Sequence, residues 1–243
     1  MRTHYFAALF FSSILFFVLK YAEQIVGPSY LIAAGLLGFV GAVALSWKTC
    51  GNRSVPYMFL LSVINLAIFP LEYAGTVFLH MAFLFFALHY LWPERRHLIH
   101  PPYRKLYQRL FESVLLLLLL IALSMIFGVI VGMLGGSADQ GKIIETVEGL
   151  PLYVLAFSFI VAPFTEELFF RAFLVPRAGP LAASVMFALV HHAYGSVAEM
   201  AGAFLLGLVL SYYYYRRGDI LPCILAHGAF NLLSVLIIKV VMG

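Results

Sequence analysis

Residues 150–171 read LPLYVLAFSFIVAPFTEELFFR. The run is almost wholly apolar until Glu166 and Glu167, and Arg171 closes it. About 20 apolar residues is the length that crosses a hydrocarbon core, so the stretch reads as a membrane helix. An ionised side chain inside such a helix costs on the order of 2.5–3.5 kcal/mol. Two of them cancel most of what a dozen Leu, Ile, Val and Phe contribute at roughly 0.3–0.6 kcal/mol each. The helix is tolerable only if its charged groups face the protein interior and find partners. Glu167 and Arg171 are four apart, on one helix face, and can pair. Glu166 points about 100° away from Glu167 and is left available. Pro163, one turn upstream, removes a backbone donor and loosens the helix there.

The rest of the chain agrees with a membrane setting. Of its 243 residues, 63% are hydrophobic and 11% charged. A soluble domain has about 45–50% and about 25%, so a water-soluble fold is excluded, and disorder with it. The only two cysteines, Cys50 and Cys223, suggest neither a disulfide scaffold nor a metal site. The fold class is therefore all-α, a polytopic integral membrane helical bundle. Candidate spans lie near 5–19, 30–47, 56–71, 73–92, 113–134, 150–170, 180–194, 197–215 and 220–241. That makes eight or nine transmembrane helices, because 56–92 is interrupted only around Pro70–Glu72 and 180–194 is short. Arg2 before the first run resembles a signal peptide, but no small-x-small cleavage pattern follows, so a retained helix is expected.

The net charge of +4 is distributed by loop rather than gathered into a nucleic-acid patch. Arg2, Lys48, Arg53, Arg95, Arg96, Arg104, Lys105, Arg109, Arg177, Arg216 and Arg217 fall in one alternating set of loops. Glu23 with Lys20, Glu72, Asp139, Glu145 and Glu148 with Lys142, and Glu199 fall in the other. Retention of Lys and Arg inside places the amino terminus in the cytoplasm, and the plasma (cell) membrane is the expected location. The polar linker Glu94–Arg109 is expected at the headgroup surface. The run Leu115–Leu120 reads as lipid-facing helix, and Tyr212–Tyr215 as an interfacial belt.

Two further polar sets lie in apolar helices. His191 sits near the end of the span 180–194, and His227 and Asn231 are four apart on one face of the last span. His89 and His192 read as packed core residues. Counted from the basic turns near Arg177–Gly179 and at Gly218, Glu166, His191 and His227 lie at similar depths, roughly 13–18 Å in. In a core about 30 Å thick this is near the midplane. Three helices thus offer a carboxylate, an imidazole, and an imidazole with an amide at one level.

Such a set suits peptide hydrolysis without a covalent intermediate. No Ser, Thr or Cys stands beside both a His and an acid at matching depth, which disfavours a nucleophile triad. Glu166 could act as general base on water, with His191 holding that water and later passing a proton to the leaving amine. His227 and Asn231 could bind the developing oxyanion. Zinc remains the chemical rival, since Glu and His are both ligands for it, although a helical His-Glu-x-x-His arrangement is absent. A non-catalytic polar clamp and a proton relay are the remaining alternatives. A transporter normally shows repeated halves with broken helices, and none is visible.

At these residues the chain resembles a known family. Glu166-Glu167-Leu-Phe-Phe-Arg171 is similar to the Glu-Glu-x-x-x-Arg motif of the CAAX-protease and bacteriocin-processing (CPBP, or Abi) family. Phe187-Ala-Leu-Val-His191 resembles its Phe-x-x-x-His motif, and His227-Gly-Ala-Phe-Asn231 its His-x-x-x-Asn motif, in the same order. The resemblance covers 111–243 and divides the chain into that catalytic core and an unmatched region, 1–110, of amino-terminal helices and basic loop. It implies an all-helical intramembrane glutamic endopeptidase with an Rce1-like core. It also implies that Glu166 and His191 activate water, that His227 and Asn231 form an oxyanion hole, and that Glu167 and Arg171 complete the site. The expected partners are the lipid bilayer and a membrane-associated or lipidated peptide, with no cofactor and no nucleic acid. Bacteriocin immunity, peptide maturation and sorting-tail trimming are other branches, and a scaffold or immunity protein is the non-enzymatic alternative.

Overall fold

The computed structural model describes residues 105–191 and 195–242, together with Thr76, Leu79, His80, Phe83, Leu84, Ala87 and Leu91. The spans near 5–19, 30–47 and 56–71, most of 73–92, the linker up to Arg104, and Cys50, His89 and His192 lie outside the described residues. The chain divides into two compact units, Met1–Leu79 and His80–Gly243. Among the described residues of the second unit every element is helical. These are α1 (Leu106–Met133), α2 (Ser137–Gly149), α3 (Leu152–Glu166), a π-helical segment (Glu167–Leu174), α4 (Val175–Val190), α5 (Val197–Arg217) and α6 (Ile220–Ile237). A short π turn, Ile238–Met242, follows α6.

Among the described residues, four stretches are long and apolar enough to cross a membrane: Leu106–Met133, Leu152–Val190, Val197–Arg217 and Ile220–Val240. The protein is an integral membrane protein. The sequence-derived spans 150–170 and 180–194 both overlap the stretch Leu152–Val190, which leaves helical geometry at Gly179 (φ 85°, ψ 164°). A positive φ is open to glycine and strained for other residues, so the chain bends there ahead of Pro180. The total of eight or nine helices rests on residues outside those described.

The helices are arranged for lipid rather than water. On α1 the buried residues are Arg109, Ser113, Leu116 and Leu120, spaced by 4, 3 and 4 along one face. Leu115, Leu118, Leu119, Met125, Ile126 and Val129 of the same helix are exposed. A contiguous apolar surface of this kind is stable against acyl chains and unfavourable in water. On α5 the inward stripe holds Ala203, Gly207 and Ser211. Small residues four apart let another helix approach closely. Ser184 on α4 hydrogen-bonds Ser211 at 3.2 Å. A Cβ placed on Gly207 would stand 2.9 Å from the Phe187 ring. The pairs 184/211 and 187/207 run in opposite senses, so α4 and α5 are antiparallel.

Arg109 binds Asp219 through two 2.8 Å bonds, from Nε to Oδ2 and from Nη2 to Oδ1. Asp219 also caps α6 by accepting from the Leu221 backbone N–H. Arg109 is thus a buried structural residue in the first turn of α1, whereas its place in a basic stretch suggested a surface role. The pairing is set by chain separation that local sequence does not display. It brings the beginning of α1 beside the α5–α6 turn, where Gly218 (φ 64°) closes α5.

The other end of the bundle is held by α2. Asp139 accepts hydrogen bonds from the Ala198 backbone N–H (2.8 Å) and the Ser196 hydroxyl (2.8 Å), and pairs with Lys142 at 3.0 Å. Together these hold the Asp139 carboxyl down at about 2. Lys142 also donates to the Gly195 carbonyl, and Lys239 to that of Glu148. The acidic segment, the α4–α5 turn and the end of α6 are therefore gathered at one end.

Candidate active site

Glu166 ends α3 and Glu167 begins the π segment, where backbone bonds skip five residues rather than four. Glu166 is 8% exposed, and Glu167 and Arg171 are fully buried. The pair expected from helix spacing is present: Arg171 Nη1 lies 3.1 Å from Glu167 Oε1. The guanidinium also lies 4.3 Å from the centre of the Phe187 ring, and its Nη2 donates to the Gly207 carbonyl at 3.4 Å. Stacking on an aromatic face suits a planar, weakly hydrated cation. Glu167 Oε2 and Arg171 Nε have no hydrogen-bond partner among the described residues.

His227 arrives from α6 and stands between the two carboxylates. Its Nδ1 is 2.8 Å from Glu167 Oε1, and its Nε2 is 3.7 Å from Glu166 Oε2. A carboxylate oxygen accepts, so the proton of the shorter contact belongs to His227 Nδ1. The helix that carries His227 fits closely against α3. Pro163 offers no N–H to the Phe159 carbonyl, and Gly228 occupies that position: a Cβ on Gly228 would lie 2.9 Å from the Phe159 oxygen. The small residue after His227 is what lets its ring reach the carboxylates.

His191 caps α4. Its Nδ1 donates to the Phe187 carbonyl at 2.8 Å, which leaves the lone pair on Nε2. Its ring packs on Phe187 at 4.6 Å, and Phe187 also meets His227 edge-on, at 5.8 Å between centroids. His191 is close enough to His227 and Arg171 for their charges to interact. Asn231 lies one turn beyond His227, where its Nδ2 donates to the Ser158 carbonyl at 2.9 Å. The Asn231 amide carries a second N–H beyond the one given to Ser158. Of the six residues singled out in the sequence, Glu166, Glu167, Arg171 and His227 form one contiguous cluster. His191 adjoins it across Phe187, and Asn231 flanks it along α3.

A seventh residue belongs to the cluster and was not singled out. His80 Nδ1 is 2.8 Å from the Thr165 hydroxyl oxygen, and His80 Nε2 is 3.7 Å from Glu166 Oε1. The Thr165 hydroxyl donates to the Ala162 carbonyl at 3.0 Å, so its oxygen accepts from His80 Nδ1. The ring is held edge-on by Phe157 (5.1 Å) and Phe83 (5.9 Å). Phe83 stacks on Phe169 at 4.5 Å, and Phe170 meets Phe187 edge-on at 5.2 Å. Aromatic rings therefore enclose the charged groups, and electrostatic interactions inside that wall are stronger than in water.

Chemically, the arrangement offers one carboxylate (Glu167) fixed by a cation and an imidazole, and a second (Glu166) facing two imidazole nitrogens beyond hydrogen-bond length. Among the described residues no group of three His, Cys, Asp or Glu side chains is placed to hold a metal ion. Residues 148–233 match the family model described as Type II CAAX prenyl endopeptidase Rce1-like. The matched segment contains all three motifs, so the family resemblance is borne out there. No curated protein and no solved structure matches the chain.

Proposed function

We propose, taking the match over residues 148–233 as the premise, that this protein is a glutamate-type intramembrane endopeptidase acting on a membrane-anchored or lipidated peptide. The match supports a protease with membrane-associated substrates. The observation that carries the catalytic assignment is the position of His227, 2.8 Å from Glu167 and 3.7 Å from Glu166 inside the bundle. Glu166 takes a proton from water while the water oxygen bonds to the scissile carbonyl carbon. His191 Nε2 orients that water. The resulting oxyanion takes hydrogen bonds from the second Asn231 N–H and from the His227 ring, which the Glu167 carboxylate fixes in place. The C–N bond then breaks, and the amine leaves with the proton passed on through His191. Arg171 holds Glu167 in place.

A fluorogenic farnesylated peptide ending in Cys-aliphatic-aliphatic-x, presented in lipid nanodiscs, tests this reading. Wild-type protein cleaves it and folded Glu166→Gln does not. Dialysis against a membrane-permeant chelator leaves the rate unchanged if Glu166 rather than zinc activates the water. Full activity in Glu166→Gln overturns the assignment. A biological effect that survives both Glu166→Gln and His227→Ala indicates a scaffold or immunity protein instead. The proposed orientation, with the basic turns at Arg177 and Arg216–Arg217 in the cytoplasm of a plasma membrane, is read by labelling single cysteines introduced at those turns.

A further inference from the structure

Two basic segments that are far apart in the sequence meet at one end of the bundle. The Tyr213 hydroxyl donates to the Glu112 carboxylate, and Arg109 binds Asp219, so the beginning of α1 lies against the end of α5. The contacts 112/213 and 127/202 run in opposite senses, so the two helices are antiparallel. Lys105 lies two turns before Glu112 on the same face of α1, since seven residues return a helix to within about 20° of one direction. Arg216 and Arg217 follow Tyr213 by three and four residues and flank its direction on α5. All three cations are exposed. Among the described residues none has a carboxylate partner, because the two acids beside them are engaged by Tyr213 and Arg109. The Lys105 ammonium rests only over the Tyr107 ring, 6.0 Å from its centre. Next to the cations the surface turns apolar. Measured from the Glu112–Tyr213 contact, the exposed Tyr107, Phe111 and Leu115 of α1 turn to the same side of the helix pair as the exposed Tyr212 and Leu205 of α5. The opposite side carries the buried Leu116 and Leu210 and faces the bundle.

We infer that the outer groove between α1 and α5 binds an anionic phospholipid, with its phosphate among Lys105, Arg216 and Arg217 and an acyl chain along Phe111 and Leu115. The polarity of the groove follows that of such a lipid: cations at headgroup level, tyrosines at the ester level, then an apolar strip. A zwitterionic lipid brings its own ammonium and offers no net charge against three cations. An acidic soluble protein would meet the cations but not the strip, which lies level with the acyl chains. The site depends on the protein being embedded in a membrane and is independent of the protease reading.

The full-length protein in neutral detergent is titrated with dioleoyl phosphatidylglycerol or dioleoyl phosphatidylcholine and read by native mass spectrometry. Wild type is expected to retain one phosphatidylglycerol in preference to phosphatidylcholine. Lys105→Gln, Arg216→Gln and Arg217→Gln should each weaken that retention about fivefold, the usual effect of one basic residue at an anionic surface. Lys239→Gln removes the same charge at the opposite end of the bundle and should keep the wild-type preference. An equal loss in Lys239→Gln, or no loss in the three others, overturns the inference. Glycerol 1-phosphate, which has the charge without the chains, should not displace the lipid, and displacement reduces the groove to a simple anion site and overturns the lipid assignment. Should the variants fail to fold, the wild type decides: a phosphatidylglycerol with a photoreactive headgroup should label peptides covering 105–112 and 212–217, and labelling confined to other segments overturns the inference.

Discussion

Oε1 of Glu167 lies 2.8 Å from Nδ1 of His227, and the same oxygen lies 3.1 Å from Nη1 of Arg171. One buried carboxylate therefore organises two helices at once. It holds the guanidinium of its own π turn and sets the ring of α6, so His227 presents Nε2 toward Glu166.

Replacing His227 with Ala is expected to lower kcat on a cleavable membrane peptide by about 10²–10³, the usual loss for one oxyanion donor. Asn231→Ala should fall in the same range, with a smaller change in KM. Steady-state kinetics in nanodiscs would expose a departure: an effect confined to KM would move both residues from transition-state stabilisation to substrate binding.

Arg171→Ala should destabilise the fold by about 3–5 kcal/mol, because it strands a carboxylate that has no access to water. The double variant Arg171→Ala/Glu167→Gln should recover part of that loss. Reversible unfolding in mixed micelles gives both values. Equal stability of the single variant and wild type would contradict a structural ion pair.

Gly228→Ala places a Cβ 2.9 Å from the Phe159 carbonyl oxygen, so the helices must separate. Overpacking of this sort costs about 1–3 kcal/mol. The larger expected effect is on cleavage, since the same displacement carries His227 away from Glu166 and Glu167. Ala201→Gly, on α5 and away from these contacts, serves as the comparison and should keep most of its activity.

Asp139 provides the pH dependence. Its carboxyl ionises at about 2 in the fold against 3.8 for an ordinary aspartate, so the unfolded chain binds the proton first as acid is added. The stabilisation is complete above the ordinary value and disappears as the pH falls toward the lower one. Hydrogen exchange at the first turn of α5 should accelerate across that window in wild type. In Asp139→Asn it should already be fast at neutral pH and show no such step.

Much of the site was readable because its chemistry is locally encoded. Two carboxylates ending an apolar run demand an interior partner, and Arg171 stands at the one spacing that supplies it. His227 and Asn231 share a helix face by the same periodicity. The remainder depends on meetings between distant segments. His80 is one ring in an apolar stretch, and nothing near it in sequence signals that Thr165 and Glu166 will lie beside it. Arg109 looked like one more cation of a basic linker until Asp219 met it. The π winding after Glu166 has no compositional mark, since its phenylalanines and leucine suit an ordinary helix equally well. The break at Gly179 was foreshadowed by Gly179-Pro180, although the chain there bends within one long apolar stretch.

The π segment Glu167–Leu174 carries a further implication. An α-helix would satisfy those backbone groups with better geometry, so the looser coil persists for the directions it gives its side chains. Excising one residue from Leu168–Phe170 would let the coil tighten into regular winding and would turn Arg171 out of line with the carboxylates before it. The shortened protein could melt at a higher temperature than its parent and still be inert, a trade of alignment for comfort written into a single turn.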